Sequence, residues 1–112
     1  MTKYQYCYFK YECDLLEVRL EVESAIKVRF SERESSYWAG TYFLFDDITS
    51  DLRIQLHRNL DDTGQWIVKE FEGALILCSI SGPVDIVEEY SSILKRGNGK
   101  LITSRTSEVV DE

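Results

Sequence analysis

The chain is poor in the residues that catalysis and metal binding most often use. Its 112 residues include one histidine, one proline and three cysteines. The cysteines (Cys7, Cys13 and Cys78) are odd in number and irregularly spaced, and each has apolar or aromatic neighbours. Such cysteines are typical of free thiols in a core. Because CxxC, HxxxH and EF-hand spacings are also missing, we expect neither a metal ion nor a cofactor.

The sequence also lacks a recognisable catalytic group. The single histidine, His57, falls on an outward position of a predicted strand, and no local motif places a cysteine or serine beside it. An activated nucleophile needs such a neighbouring base. The acid pairs Asp46/Asp47 and Asp61/Asp62 lie in predicted turns, where solvent keeps them ionised, whereas acid–base catalysis requires one carboxyl group with a raised pKa. We therefore predict that the protein is not an enzyme.

Long apolar runs and clustered basic residues are missing as well. No apolar run approaches the ~20 residues that span a bilayer, and the segment MTKYQYCYFK lacks the basic and apolar regions of a signal peptide. These absences predict a cytoplasmic location. The formal net charge is −7, whereas nucleic acids and anionic membranes attract clustered lysine and arginine. We therefore expect neither of them as a ligand.

What the sequence does contain is enough apolar residues for one folded domain. Hydrophobic residues make up 44% and aromatic residues 12% of the chain, which is typical of a globular protein that needs no disulfide or metal. We predict a single α+β domain over residues 1–105, followed by a flexible acidic tail over residues 106–112. The expected architecture is a mostly antiparallel sheet of about four or five strands with about two helices on one face, a variant of the split β-α-β arrangement.

The stretch from Asp14 to Phe30 carries two competing patterns. Apolar residues on its even positions indicate a strand, but apolar residues also recur there at helical spacing. Asp14, followed three residues later by Glu17, forms a capping-box pattern. We predict a helix over residues 14–25 that runs into a strand near residues 26–32, and a strand throughout remains the alternative.

Local signals predict the other elements. Alternating, aromatic or continuous apolar residues predict strands at residues 4–9, 40–45, 52–57, 74–80 and 101–103. The first of these is dense in tyrosine and is expected to bury much of both its faces. A second helix is predicted to begin near Pro83 and to end before Gly97, which is expected to take the left-handed conformation of a C-cap.

The acidic residues are unevenly distributed. Residues 32–72 hold nine acidic and four basic side chains, so most of the net charge comes from this middle stretch. It also holds Tyr37, Trp38 and Trp66, residue types that serve as anchors in interfaces. Acid and aromatic residues without a catalytic group favour a surface that binds a basic protein, because opposite charge steers such a partner.

We expect the contact with this partner to use acidic and aromatic residues of the middle stretch. They are Glu32, Glu34, Tyr37, Trp38, Asp46, Asp47, Asp61, Asp62 and Trp66. The two aspartate pairs are also explained as ordinary turn residues. One or both rings of the Tyr-Trp pair, and likewise the ring of Trp66, are equally well explained as a cap over the core.

A longer run resembles a known class of proteins. The sequence from RESSYWAGTYFLF through IQLHRNLDDTGQWIVKEFEGALIL to SGPVDIVEEYSSILK, within residues 32–95, is similar to small bacterial immunity proteins of toxin–immunity systems, including contact-dependent growth inhibition. The resemblance implies a cytoplasmic protein that binds the toxin domain of a neighbouring cell's effector. Many such toxins are nucleases, whose sites are basic because they hold phosphate. An acidic immunity protein would occlude such a site by binding its basic residues.

Two other interpretations stay open. The predicted strand–helix junction at Ser81–Pro83 could hold an anionic small molecule, because backbone N–H groups at a helix start carry positive potential. The protein would then be a small-molecule-binding regulatory domain. Alternatively, the Tyr4–Tyr8 strand could be an exposed edge that joins two copies in a homodimer.

Overall fold

Six strands form one sheet in the computed structural model, which describes residues 2–109. The strands are β1 (Thr2–Tyr11), β2 (Ser31–Ser35), β3 (Gly40–Asp47), β4 (Leu52–Arg58), β5 (Ile76–Pro83) and β6 (Lys100–Val109). The helices are α1 (Leu15–Ile26) and α2 (Val84–Leu94), and 3₁₀ turns cover Ser36–Trp38 and Lys69–Phe71. Within the described residues, no helix is both long enough and apolar enough to cross a lipid bilayer.

The strand order is β2-β3-β4-β5-β1-β6, and every neighbouring pair is antiparallel. Because β1 lies between β5 and β6, the unit β5-α2-β6 is a split β-α-β arrangement. The other helix, α1, crosses from β1 to the edge strand β2, and both helices pack on one face of the sheet. The predicted class, a single α+β domain with two helices on one face of an antiparallel sheet, is confirmed, with six strands instead of four or five.

The main core lies between the helices and this face of the sheet. Side chains alternate between the two faces of a strand, so every second strand residue enters the core. These buried strand residues are Cys7, Phe9, Tyr11, Phe43, Leu52, Ile54, Leu56, Ile76, Cys78 and Ile80. Cys7 and Cys78 are free thiols, as predicted, and Cys13 is partly buried. Burying each large apolar side chain stabilises the fold by about 1.5–3 kcal/mol.

The helical interpretation of the stretch after Asp14 is confirmed. The Asp14 carboxylate accepts the backbone N–H of Glu17 at 2.9 Å, which caps the first turn of α1. Leu15, Val18, Val22 and Ile26 are buried at helical spacing. The strand pattern would instead bury the even positions, but Leu16 and Leu20 are 59% and 65% exposed.

Both helix ends differ from the prediction. Lys27 takes a left-handed conformation (φ 58°) after α1, and the next strand begins only at Ser31. The link between them is held by Phe30, whose ring is buried and whose N–H donates to Glu23 Oε2 at 2.8 Å. Gly97 is not left-handed after α2, because the chain continues in tight turns, with the Gly97 N–H donating to the Leu94 carbonyl at 3.1 Å.

The edges of the sheet also differ from expectation. The Tyr4–Tyr8 segment of β1 pairs with strands on both sides, so the expectation that it is an exposed edge is wrong. The edges are β2 and β6. β6 continues to Val109, so residues 106–109 belong to the sheet and not to the predicted tail, and residues 110–112 lie outside the described residues.

The second face of the sheet is covered differently. Residues 59–75, here called the connector, join β4 to β5 and fold over one end of this face. There Phe71 and Ala74 form a small buried cluster with Leu77 of β5, against which Tyr8 and Ile102 pack. We call this side of the sheet, opposite the helices, the open face, and the end beneath the connector the connector end.

Gly99 offers a test of how tightly the main core is closed. A Cβ atom at this position would lie 2.5 Å from the Cζ atom of Tyr11, whose side chain is only 1% exposed and has no room to move. We expect Gly99→Ala to lower the free energy of unfolding by about 1–3 kcal/mol, the usual cost of overpacking a core. Urea denaturation followed by circular dichroism measures the loss.

The matched control is Gly97→Ala, two residues earlier in the same turn. Its new Cβ would lie 2.7 Å from Glu21 Oε2, the end of a side chain that can move aside by giving up its exposed hydrogen bonds to Asn98. We expect a loss of less than about 1 kcal/mol for this variant. Equal losses for the two variants would show that the Tyr11 ring does not pack as described.

Candidate functional site

Aromatic side chains gather on the open face, near the connector end. Tyr6 and Tyr8 lie on this face because the alternate residues of β1 enter the main core. Tyr37 and Trp38 come from the 3₁₀ turn between β2 and β3, which begins where Ser35 Oγ accepts the Tyr37 N–H at 3.2 Å. We call Tyr6, Tyr8, Tyr37 and Trp38 the aromatic patch.

Trp38 covers His57. The two rings stack with centroids 3.7 Å apart and an interplanar angle of 33°, and Tyr37 packs edge-on against Trp38 at 4.6 Å. His57 is therefore only 1% exposed. The expected outward position of His57 on β4 is correct, and a ring from a different segment covers the side chain there.

The imidazole of His57 is neutral at physiological pH. Burial lowers its pKa from the ordinary value to about 4, although the hydrogen bond from Nδ1 to the Arg58 carbonyl, 2.8 Å long, acts in the opposite direction. Stacked beneath Trp38 and bonded to the backbone of its own strand, the ring contributes packing to the patch.

Tyr8 lies at the centre of the patch. The Tyr6 hydroxyl donates to the Tyr8 hydroxyl at 2.9 Å, and the Tyr8 ring is 4.7 Å from that of Phe71 in the connector. Burial raises the pKa of Tyr8 well above its usual range, and the neighbouring Tyr6, Glu70 and Tyr37 raise it further. These contacts place the 3₁₀ turn and the connector on either side of Tyr8.

The two predicted aspartates of the connector have different surroundings. Asp61 Oδ1 accepts the Thr63 N–H at 2.9 Å, the Thr63 hydroxyl at 2.7 Å and the Gln65 N–H at 2.9 Å. These bonds, led by the one from the hydroxyl, lower the pKa of Asp61. Asp61 thus holds the turn together, while Asp62 is exposed and remains available for a partner.

The connector combines acidic charge with the third predicted ring. It contains Asp61, Asp62, Glu70 and Glu72 against the single base Lys69. Trp66, half-buried, forms an isolated β-bridge with Leu60 and lines a shallow depression of about 440 Å³ together with Gly64, Gln65, Lys69 and Glu72. Acid and aromatic residues of the middle stretch are therefore brought together at this end of the sheet.

Two predicted contact residues lie on the other side of the sheet. Glu32 and Glu34 are exposed on the edge strand β2. In the register, Glu32 is opposite Phe43, whose side chain enters the main core, so this glutamate extends on the helical side. The structure does not bring Glu32 and Glu34 together with the aromatic patch.

Asp46 and Asp47 lie at the end of β3 away from the connector. In the register, Asp46 shares a row of the open face with Tyr6, but it is three strands away from it. Asp46 pairs with Arg53 at 2.9 Å, and Asp47 Oδ1 accepts the Thr49 N–H at 3.1 Å in the following turn. Their contacts are those of ordinary strand-end and turn residues.

The strand–helix junction at Ser81–Pro83 is closely packed. Pro83 precedes α2, and Asp85 lies in its first turn. A side chain at position 82 would come within 3.0 Å of the backbone oxygen of Asp51, because the turn between β3 and β4 lies directly against Gly82. A ligand at this junction stays a prediction, and any ligand would have to approach from the side away from this turn.

Sequence reasoning missed two tyrosines and an ion pair of the site. Tyr6 and Tyr8 were expected in a strand buried on both faces, whereas Tyr6 is 40% exposed. Glu70 and Arg105, 2.8 Å apart, were not singled out. The alternation of tyrosine along β1 was the available signal, but only the topology shows that this strand lies beside the connector. Among residues 3–107, whose side chains the structure describes, no group of three histidine, cysteine or acidic residues could hold a metal ion.

Comparison with known proteins adds no relative. No protein-family model matches the chain, and neither a curated protein nor a solved structure is significantly similar to it. The residues and the geometry described above are therefore what supports a functional conclusion.

Proposed function

We propose that this protein is an immunity-type inhibitor that binds a basic toxin domain, with a nuclease as the favoured class, and occludes its active site. The observation that carries the proposal is that the aromatic patch and the acidic connector lie side by side at one end of the open face. Such a surface supplies binding energy and charge complementarity without any chemical step.

The aromatic patch has the properties of an interface anchor. Tyr37 and Tyr6 are 65% and 40% exposed, so both rings are accessible to a partner. The Tyr37 ring packs edge-on against Trp38, which itself stacks on His57, and the Tyr6 hydroxyl is hydrogen-bonded to that of Tyr8. Little side-chain entropy is lost when a partner covers rings that are held in place beforehand, so most of the gain from burial is retained.

The connector supplies the electrostatic attraction. Asp62 and Glu72 are exposed on the connector, and Glu72 lines the depression beside Trp66. Charges at the rim of an interface mainly raise the association rate. Glu32, Glu34 and the Asp46/Asp47 pair lie farther away, where they add to the long-range field at low ionic strength only.

Reversing the connector charge tests the proposal. The partner is first recovered from lysate of the host on the tagged protein, identified by mass spectrometry and purified. We expect Asp62→Lys with Glu72→Lys to slow association about ten-fold at 10 mM salt and much less at 500 mM, because screening removes steering. Stopped-flow or surface plasmon resonance measures the rate. Asp61 is left unchanged, since it holds the turn.

The matched control carries the same charge change on the other side of the molecule. Asp85→Lys with Glu88→Lys alters two exposed acids of α2, and we expect a slowing of less than about two-fold. Purified protein should also abolish the activity of the recovered toxin domain at one molecule per toxin. A bound basic chain whose activity is unaffected, or equal slowing by both double variants, would contradict the proposal.

A further inference from the structure

An exposed ion pair closes one side of the aromatic patch. Arg105 of β6 stands opposite Tyr6 in the strand register, and its Nη2 atom donates to Glu70 Oε1 of the connector at 2.8 Å. Both side chains are largely exposed, at 69% for Arg105 and 57% for Glu70. The guanidinium group of the chain's own Arg105 thus lies at the rim of the tyrosine rings.

Glu70 can readily exchange Arg105 for another positively charged group. Exposed ion pairs contribute little to stability, because water solvates the separated charges almost as well. The connector has other attachments to the sheet, through Asn59 and through the packing of Phe71 on Tyr8. Glu70 can therefore change partners without loss of the fold around it.

We propose that an arginine side chain of the partner replaces Arg105 at Glu70, with its guanidinium group lying on the aromatic patch between Tyr37 and Tyr6. The inference rests on the proposed function, because it names the chemistry by which the same partner is recognised. A planar guanidinium group stacks on aromatic rings and donates two parallel hydrogen bonds to a carboxylate, which a lysine ammonium group does not do.

The surroundings of Tyr8 favour a cation over an anion at this place. Glu70, Tyr6 and Tyr37 surround the Tyr8 hydroxyl, and the first of these carries a negative charge. The faces of the aromatic rings present further negative potential. Once Arg105 has been displaced, the Glu70 carboxylate would repel a phosphate or carboxylate group, whereas this carboxylate and the faces of the rings attract a positive group.

A peptide with a single arginine tests the site without the toxin. The probe is acetyl-Gly-Arg-Gly-amide, and the control is the same peptide with citrulline, a neutral side chain of almost the same shape. Binding is followed by NMR through the indole signals of Trp38 and Trp66, which a Trp66→Phe variant assigns. We expect the arginine peptide to shift the Trp38 signal saturably, with a dissociation constant in the millimolar range, and the citrulline peptide to bind at least about five-fold more weakly.

Two variants give opposite expected results. Arg105→Gln removes the internal competitor and should lower the dissociation constant of the peptide about two- to five-fold. This factor corresponds to the free energy that an exposed ion pair contributes. Glu70→Gln should weaken it about five-fold or more. If the pair only fastens the connector, both variants will weaken binding alike, and the inference is overturned. It is also overturned if citrulline binds equally well or if only the Trp66 signal shifts.

Failure of this inference is distinguishable from failure of the proposed function. If the Arg105→Gln and Glu70→Gln variants inhibit the toxin domain with unchanged affinity, the proposed function as an inhibitor stands, and the exchange of Arg105 for a partner arginine is contradicted. The far-ultraviolet circular dichroism of each variant, together with the NMR signal of the single histidine beneath Trp38, shows whether the fold of the patch is intact.

Discussion

Replacing Asn59 by alanine is expected to lower the free energy of unfolding by about 3 kcal/mol and to release the connector from the sheet. Asn59 is fully buried where β4 ends. Its Oδ1 atom accepts the Val68 N–H at 2.7 Å, and its Nδ2 group donates to the Phe71 carbonyl at 3.1 Å. Alanine would leave the Val68 N–H without its partner, at about 1–3 kcal/mol. The Phe71 carbonyl would keep the Ala74 N–H, so losing the Asn59 amide there costs only about 0.5–1.5 kcal/mol more.

The consequence extends to the binding surface. The backbone of Asn59 also bonds to Leu75 and Ile67, so this one residue ties both ends of the connector together. Once the side chain is lost, Phe71 is less firmly held against Tyr8 and the aromatic patch loses one wall. We therefore expect faster amide hydrogen exchange throughout residues 60–75, together with the lower stability in urea.

Asn98→Ala is the matched control for Asn59→Ala. Asn98 is exposed, and its side chain donates to Glu21 Oε1 at 2.6 Å. Because water can replace that bond, we expect a loss of no more than about 1 kcal/mol and unchanged exchange in the connector. If both asparagine variants lose the same stability, the connector is held by the packing of Phe71 and not by the amide of Asn59.

The elements that local chemistry specifies were predictable from the sequence. The cap at Asp14 and the buried residues of α1 at helical spacing distinguish a helix from a strand, although the period-two pattern competes with them. The apolar run of β5 likewise predicts a central strand, and Pro83 predicts the start of α2, although the strand continues through Ser81–Pro83. In these places the local preference and the tertiary packing agree.

The length of β6 was not predictable in the same way. Its second half, Ser104 to Val109, is mostly polar, and the predicted tail therefore began at residue 106. An edge strand with one solvated side needs few apolar residues, because its backbone hydrogen bonds to β1 hold it in the sheet. The edge strand β2 also has few apolar residues to indicate a strand, and its residues are almost all exposed.

The site was predictable only in part for a related reason. Tyr37, Trp38 and Trp66 were recognised as anchors from residue type alone. The neighbours that complete the patch, Tyr6 and Tyr8, are about thirty residues away in the sequence, and only the strand order brings them to the 3₁₀ turn. Asparagine is likewise a residue type common in solvated turns, and the burial of Asn59 depends on the path of the connector.

The second large effect is a loss of stability in mild acid caused by His57. The pKa of this imidazole is about 4 in the folded protein and about 6.5 in the unfolded chain. The unfolded state therefore binds the proton more readily, and the stabilisation is fully present above about pH 6.5. It is lost as the pH falls toward 4, and we expect a loss of about 2.5 kcal/mol between pH 7 and pH 4.5 from this residue alone.

The measurement compares wild type with His57→Asn, in urea at pH 7 and at pH 4.5. The asparagine amide can keep the bond to the Arg58 carbonyl but does not titrate. The contributions of carboxylates that titrate in both proteins therefore cancel in the difference.

Because the chain has one histidine, its NMR titration gives the pKa directly. Trp38→Ala should move this pKa toward 6.5 by admitting water, whereas Trp38→Phe should leave it low. A wild-type pKa near 6.5 would mean that Trp38 does not cover the ring, and the aromatic patch would then lack the rigid base from which Tyr37 is presented.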